Sequence, residues 1–151
     1  MNPELLIQQT KLESQALEHV TRALEVMIGW SVDGDGFARK LSSVRFFTEL
    51  YQRHLERLFA LEEIDGYMES VSRLTPELSD RVVKLKREHD QFRAVVRKMV
   101  VRLDLASPLQ LHELDVTCAE LRHTINHVLE HLRRERELLG ESFYRDTGGE
   151  A

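Results

Sequence analysis

Seven histidines occur in 151 residues, and four of them are placed where a shared chemistry is feasible. His19, His54, His89 and His131 lie 35, 35 and 42 residues apart, each in or beside an apolar stripe of helical spacing. In an antiparallel helical hairpin, two residues sit side by side when their midpoint falls in the connecting turn. The midpoints of the successive histidine pairs fall in or close to the three breaks in the pattern. At ~1.5 Å per residue, the remaining offsets amount to a few ångströms. The spacing therefore predicts four imidazoles in one layer of a helical core. Glu135 follows His131 by four residues, one turn along the same face. A buried carboxylate without a partner is costly, and a metal ion would offset that cost while using the imidazoles as ligands. Imidazole and carboxylate without thiolate suit Fe, Zn or Mn. The competing reading makes each histidine a hydrogen-bonded core residue, and four on four segments at matched height favour the metal.

The elements that must position these groups follow from periodicity and punctuation. Asn2-Pro3-Glu4 is a helix start, with Leu5, Leu12, Ala16, Val20, Ala23 and Met27 as its stripe and an end near Gly29. Ser31 to Gly36 reads as a loop. Asp33-Gly34-Asp35-Gly36 resembles part of a calcium loop, but the twelve-residue ligand pattern and its terminal Glu are missing, so a plain turn is expected. A second helix is predicted over 37–72, with the stripe Phe47, Leu50, His54, Leu58 and Leu61. Thr75-Pro76 then caps a third, whose stripe is Leu78, Val82, Leu85, His89, Phe92, Val96, Met99 and Leu103. Ser107-Pro108 starts a fourth, with Leu114, Cys118, Leu121, Ile125, Val128, Leu132, Glu135 and Leu139. Four helices with short connections predict an all-α fold, an up-down-up-down antiparallel four-helix bundle. The expected organisation is one domain over 1–146 and a disordered tail over 147–151.

Composition narrows the function. A net charge of −5 disfavours a nucleic-acid partner. No apolar run approaches the ~20 residues needed to span a membrane, and no secretory signal is evident, so a cytoplasmic protein is expected. The single cysteine, Cys118, excludes a disulfide framework and a Cys-rich zinc site, and reads as a small core residue. His127 stands one turn before His131 and is read as flanking rather than chelating. His112 and His123 look exposed. Tyr51 either packs or hydrogen-bonds near His54. Trp30 is read as a core plug or a homodimer contact, and the basic third helix as a solvated, salt-bridging face.

These residues resemble the hemerythrin-like (HHE cation-binding) family over nearly the whole chain. His131-Leu-Arg-Arg-Glu135 is similar to its His-x-x-x-Glu element, and Glu88-His89 with Arg93 to its third-helix motif. Glu18-His19 with Arg22, and Phe46-Phe47 with His54, match the first two helices. The resemblance implies a non-haem di-iron centre between four helices, with His19, His54, His89 and His131 as terminal ligands and Glu135 as a bridging carboxylate. Leu58 stands where the family carries its second Glu. Glu62, two turns after His54, is the candidate substitute ligand, against a solvated side chain as the favoured alternative; a slipped alignment would give the role to Glu62 or Glu63. Four His and one carboxylate are a poor cage for two irons, so the expected site is mononuclear, weakly dinuclear or empty. Two functions follow. One is a non-haem metal-binding bundle that senses, stores or scavenges iron, O2 or NO. The other is a metal-free structural or protein-interaction bundle. No nucleophile–base pair or nucleotide loop is evident, so an enzyme is not expected.

Overall fold

The Asn2 side chain accepts a hydrogen bond from the Glu4 N–H at 2.9 Å, and Pro3 occupies the first helical position. This cap opens helix α1, Pro3–Gly29. The computed structural model describes residues 2–107 and 110–146. After α1 come α2 (Gly36–Glu63), α3 (Tyr67–Leu74), a 3-10 turn (Pro76–Leu78), α4 (Ser79–Leu105) and α5 (Leu111–Asp146). The described residues are all-helical, with four long helices and no strand. Pro108 and the 147–151 tail, both singled out in the sequence, lie outside them.

The long helices form a closed ring of contacts: α1 packs on α2, α2 on α4, α4 on α5, and α5 returns to α1. Cross-helix pairs fix the register. Lys40 meets the Ile28 carbonyl while His54 meets Glu13. Arg45 meets the Leu103 carbonyl while Glu56 meets Arg97. Glu120 meets Arg102, while Glu141 meets Arg81. In each pair of helices, residue numbers rise along one as they fall along the other.

Two of these contacts close helix ends. The last carbonyls of a helix have no partner within it. The buried Lys40 Nζ donates to the carbonyls of Ile28 (3.1 Å) and Trp30 (2.7 Å) at the end of α1. Arg45 donates to the Leu103 carbonyl from Nε (3.1 Å) and Nη2 (2.8 Å) near the end of α4. The Asp33–Gly36 segment is a turn, as expected, with Gly34 at φ 53°.

Burial follows the expected stripes of α4 and α5 closely, whereas those of α1 and α2 are shifted by one residue. In α1 the buried line is Leu17, Thr21, Leu24 and Ile28, and Leu5 and Leu12 are exposed. In α2 it includes Thr48, Tyr51, Leu55, Leu58 and Glu62 in place of Phe47, Leu50, His54 and Leu61. Thr21 and Thr48 sit on the core face because their hydroxyls donate back to the Leu17 and Val44 carbonyls, each at 2.6 Å.

The second helix also ends earlier than its expected limit near residue 72. Asp65 adopts a left-handed conformation (φ 56°) that breaks the helix, and α3 follows before the chain turns back through Pro76–Leu78 into α4. A Cβ on Gly66 would stand 2.2 Å from the Leu61 carbonyl oxygen and 2.5 Å from that of Glu62. Only glycine permits this approach. Thr75 does not cap the next helix as expected; its hydroxyl pairs with that of Ser142 at 3.0 Å, and α4 begins at Ser79 after the 3-10 turn.

The apolar interior is in two parts. A large core includes Leu24, Val44, Leu55, Phe59, Val96, Met99, Leu121, Ile125 and Val128. A smaller one joins Met68, Val71, Leu78, Val82, Leu85 and Leu138. Between them, in chain order on α4 and α5, lie His89, His131 and Glu135.

Candidate metal centre

α4 carries His89 on the line from Leu85 to Val96, and α5 carries His131 and Glu135 on the line from Val128 to Leu138. Both imidazoles are fully buried, and Glu135 is 3% exposed. Their ring centroids are 4.8 Å apart. His89 Nε2 lies 2.9 Å from Glu135 Oε1, and His131 Nε2 lies 2.5 Å from the same oxygen. Phe59 stacks on His89 with ring centroids 3.7 Å apart and planes 10° from parallel, which fixes that ring's orientation. These are three ligand atoms of the kinds that hold metal ions, all within 4.8 Å of one another.

Glu62 joins this group from α2. It is 6% exposed, and its Oε1 lies 3.7 Å from His89 Nε2, so the favoured expectation of a solvated side chain is corrected. The one-residue shift of the α2 stripe is the physical reason. Glu62 Oε1 is buried and has no hydrogen-bond partner. Burial raises the Glu62 pKa well above its ordinary value, and hydrogen bonding and charge from Glu135 raise it further. Burial alone would also raise Glu135. Hydrogen bonds from Glu62, His131 and His89 outweigh it, and the Glu135 pKa falls below the usual carboxylate range.

Behind each imidazole stands a carboxylate gripped by arginine. Glu88 Oε1 is 2.9 Å from His131 Nδ1, and Arg134 holds Glu88 with two bonds at 2.6 and 2.8 Å. Burial works to raise the Glu88 pKa, but the bonds from Arg134 and His131 lower it on balance. Glu88 is therefore an acceptor and His131 Nδ1 the donor. Glu63 Oε2 is 3.7 Å from His89 Nδ1, and Arg93 grips Glu63 through both terminal nitrogens. The outer carboxylate hydrogen-bonded to His131 sets that ring's tautomer and leaves its Nε2 free to bind, whereas His89 Nδ1 makes no hydrogen bond.

The electrostatics admit one divalent cation. Glu62, Glu63, Glu88 and Glu135 bring four carboxylates, whereas Arg93 and Arg134 bring two guanidinium groups. With neutral imidazoles and Glu62 protonated, one negative charge remains in a low-dielectric layer, and a bound divalent ion that displaces the Glu62 proton would face two. With Nδ1 of His131 donating to Glu88, a neutral ring would point its Nε2 lone pair at Glu135 Oε1. Only a cation between them, a proton or a metal ion, makes that contact favourable.

The other expected ligands do not reach this layer. His19 is exposed; it follows the buried Leu17 by two residues, about 200° around the helix. His54 is half-buried and pairs outward, with Nδ1 2.7 Å from Glu13 Oε2. His112, His123 and His127 are exposed, and the rings of His123 and His127 lie 4.1 Å apart. Leu58 is buried in the large core, and Cys118 likewise. The sequence reading did not single out Phe59 or Tyr67. Phe59 precedes Glu62 by three residues on one helical face, a readable spacing. Tyr67 is brought in by the helix break at Asp65-Gly66.

Tyr67 borders a cleft of about 750 Å³ that opens beside the centre. Its buried hydroxyl makes no hydrogen bond. Burial, followed by the charges of Glu135 and Glu62, pushes the phenol pKa up, so it stays protonated. The buried Leu58, Glu62, Gly66 and Glu135 form the floor of the cleft, while half-buried and exposed residues of α1, α3 and α5 form its walls.

Comparison with protein-family models, curated proteins and solved structures gives no match to this chain.

Proposed function

We propose that the chain is a metal-binding helical bundle of up-down-up-down antiparallel plan that holds one divalent transition-metal ion between α2, α4 and α5. His89, His131 and Glu135 are the ligands, with Glu62 as a fourth. The reversed residue order across the three helix pairs supports the antiparallel plan. One observation carries the metal: two buried Nε2 atoms converge on one carboxylate oxygen, and at least one ring is turned that way by an ionised carboxylate on its far side. Two imidazoles and a carboxylate match the donor set of non-haem Fe(II) sites, so iron is favoured over Zn or Mn. Such an ion supplies a Lewis-acidic position for a small ligand. The role assigned is binding rather than turnover: sensing, storing or scavenging iron, O2 or NO. The hemerythrin-like resemblance is kept as a proposal for the α4 and α5 motifs.

The positions of His19, His54 and Leu58 favour one ion over two. They also support a second reading, in which the layer is a metal-free ion-paired core of a protein-interaction bundle. Metal analysis separates the two. Protein purified aerobically, and protein reloaded with Fe(II), Zn(II) or Mn(II), should carry one equivalent per chain, and His89→Ala and Glu135→Gln should lose it while remaining helical by circular dichroism. Equal, negligible metal in wild type and variants would overturn the proposal.

A further inference from the structure

The cleft beside Tyr67 has the size of a small-molecule site, for which ~300–1,000 Å³ is usual. We propose that it binds an organic cation, a primary ammonium head on an apolar body. The head sits against Glu62 and Glu135, and the body lies along α1, α2 and α5. This inference concerns the metal-free layer, in which Glu62 and Glu135 hold no ion, and does not rest on the metal reading.

The floor determines the head. Glu62 Oε1 is buried, unpartnered and part of the cleft lining, and the Tyr67 hydroxyl beside it is unpartnered too. An ammonium group has three donors. It can give one to Glu62 Oε1 and one to the Tyr67 oxygen, and it brings positive charge to a floor that carries the Glu135 carboxylate beside the Glu62 acid. A carboxylate head would add a third acid there. The rim exerts little preference, since Lys11, Arg73 and Arg136 are interspersed with Glu18 and Asp65.

The walls determine the body. Leu6, Ile7, Leu61, Leu132 and Leu139 face the space from three helices. Ile7 is 67% exposed although it lines the cleft, so a hydrocarbon chain would cover apolar surface that the fold leaves in water. A diatomic gas would fill only a small part of this volume.

The test is calorimetric titration of chelator-treated protein with n-hexylammonium, hexanoate and hexanol, which share one tail. Hexylammonium should bind about 10-fold or more tightly than either of the others, the ratio expected for a charge-assisted hydrogen bond. Glu62→Gln should weaken hexylammonium by a similar factor and leave hexanol unchanged. Ile7→Trp, on the exposed wall, should weaken both by filling the cleft. Absence of hexylammonium binding, equal binding of all three probes, or indifference of hexylammonium to Glu62→Gln or Ile7→Trp would overturn the inference. Metal content, read on untreated protein, is a separate outcome and tests only the metal proposal.

Discussion

Glu88 illustrates how much of the candidate site lies one shell outside its ligand atoms. Its carboxylate is clamped by Arg134 and accepts from His131 Nδ1, so it sets which ring nitrogen faces the centre. Glu88→Gln should keep the helix pairing but weaken metal affinity roughly 10–100-fold, as read by chelator competition. An equal affinity in the variant would show that His131 is oriented by packing alone. The same residues predict an acid limit. Glu88 and Glu135 have folded-state pKa values below their ordinary value of 4.5. Groups depressed in this way contribute stability that is complete above the unfolded pKa and is lost as pH falls through the folded one. Denaturant midpoints should therefore decline progressively below about pH 4.5. Glu62 acts in the opposite sense. Its raised pKa favours the metal-free fold at low pH, and that contribution fades as pH rises, so Glu62→Gln should gain relative stability on the alkaline side. A pH-independent difference between wild type and Glu62→Gln would contradict this assignment.

Among the elements, the short break between α2 and α3 does the most positioning for its length. Gly66 approaches the Leu61 and Glu62 carbonyls so closely that a methyl group must push α3 away. Gly66→Ala should cost roughly 1–3 kcal/mol, the range for forced overpacking, and lower Tm by a few degrees per kcal/mol. Asp65→Gly should be neutral or stabilising, since Asp65 already bears a left-handed φ of 56°. A Gly66→Ala protein as stable as wild type would show that the break tolerates an alternative path. This element is also where the sequence was hardest to read. α4 and α5 present nearly unbroken apolar stripes, and their histidines and Glu135 were legible from spacing alone. In α1 and α2 the core face is interrupted by Thr21, Lys40, Thr48 and Glu62, while Leu5, Leu12 and Phe46 stay exposed. Hydropathy then selects a line one residue off, which brings His19 and His54 inward on paper and turns Glu62 outward. Hydroxyls satisfied by their own helix, and a lysine satisfied by a neighbouring helix end, are polar in composition but are accommodated on the core face. No local pattern announces that.

For the whole molecule, a bound ion is linked to folding. An ion that binds the native layer and not the open chain stabilises by RT ln(1 + [L]/Kd), about 2.7 kcal/mol at 100 times Kd. Adding the metal should raise Tm of the wild type and leave His89→Ala unmoved, a comparison accessible by differential scanning calorimetry. No helix of the described residues is long and apolar enough to cross a membrane.

The ionisable layer also divides the interior into unequal compartments, with α3, the 3-10 turn and the outer ends of α4 and α5 on the smaller side. Few apolar contacts cross it, so the two compartments need not open together. Native-state hydrogen exchange should find amides near Met68, Val71 and Val82 exchanging through a lower-energy opening than those near Val96 and Ile125. An ion that straddles the boundary would fuse the two cooperative units into one, making the presence of metal audible in the exchange of amides that never touch it.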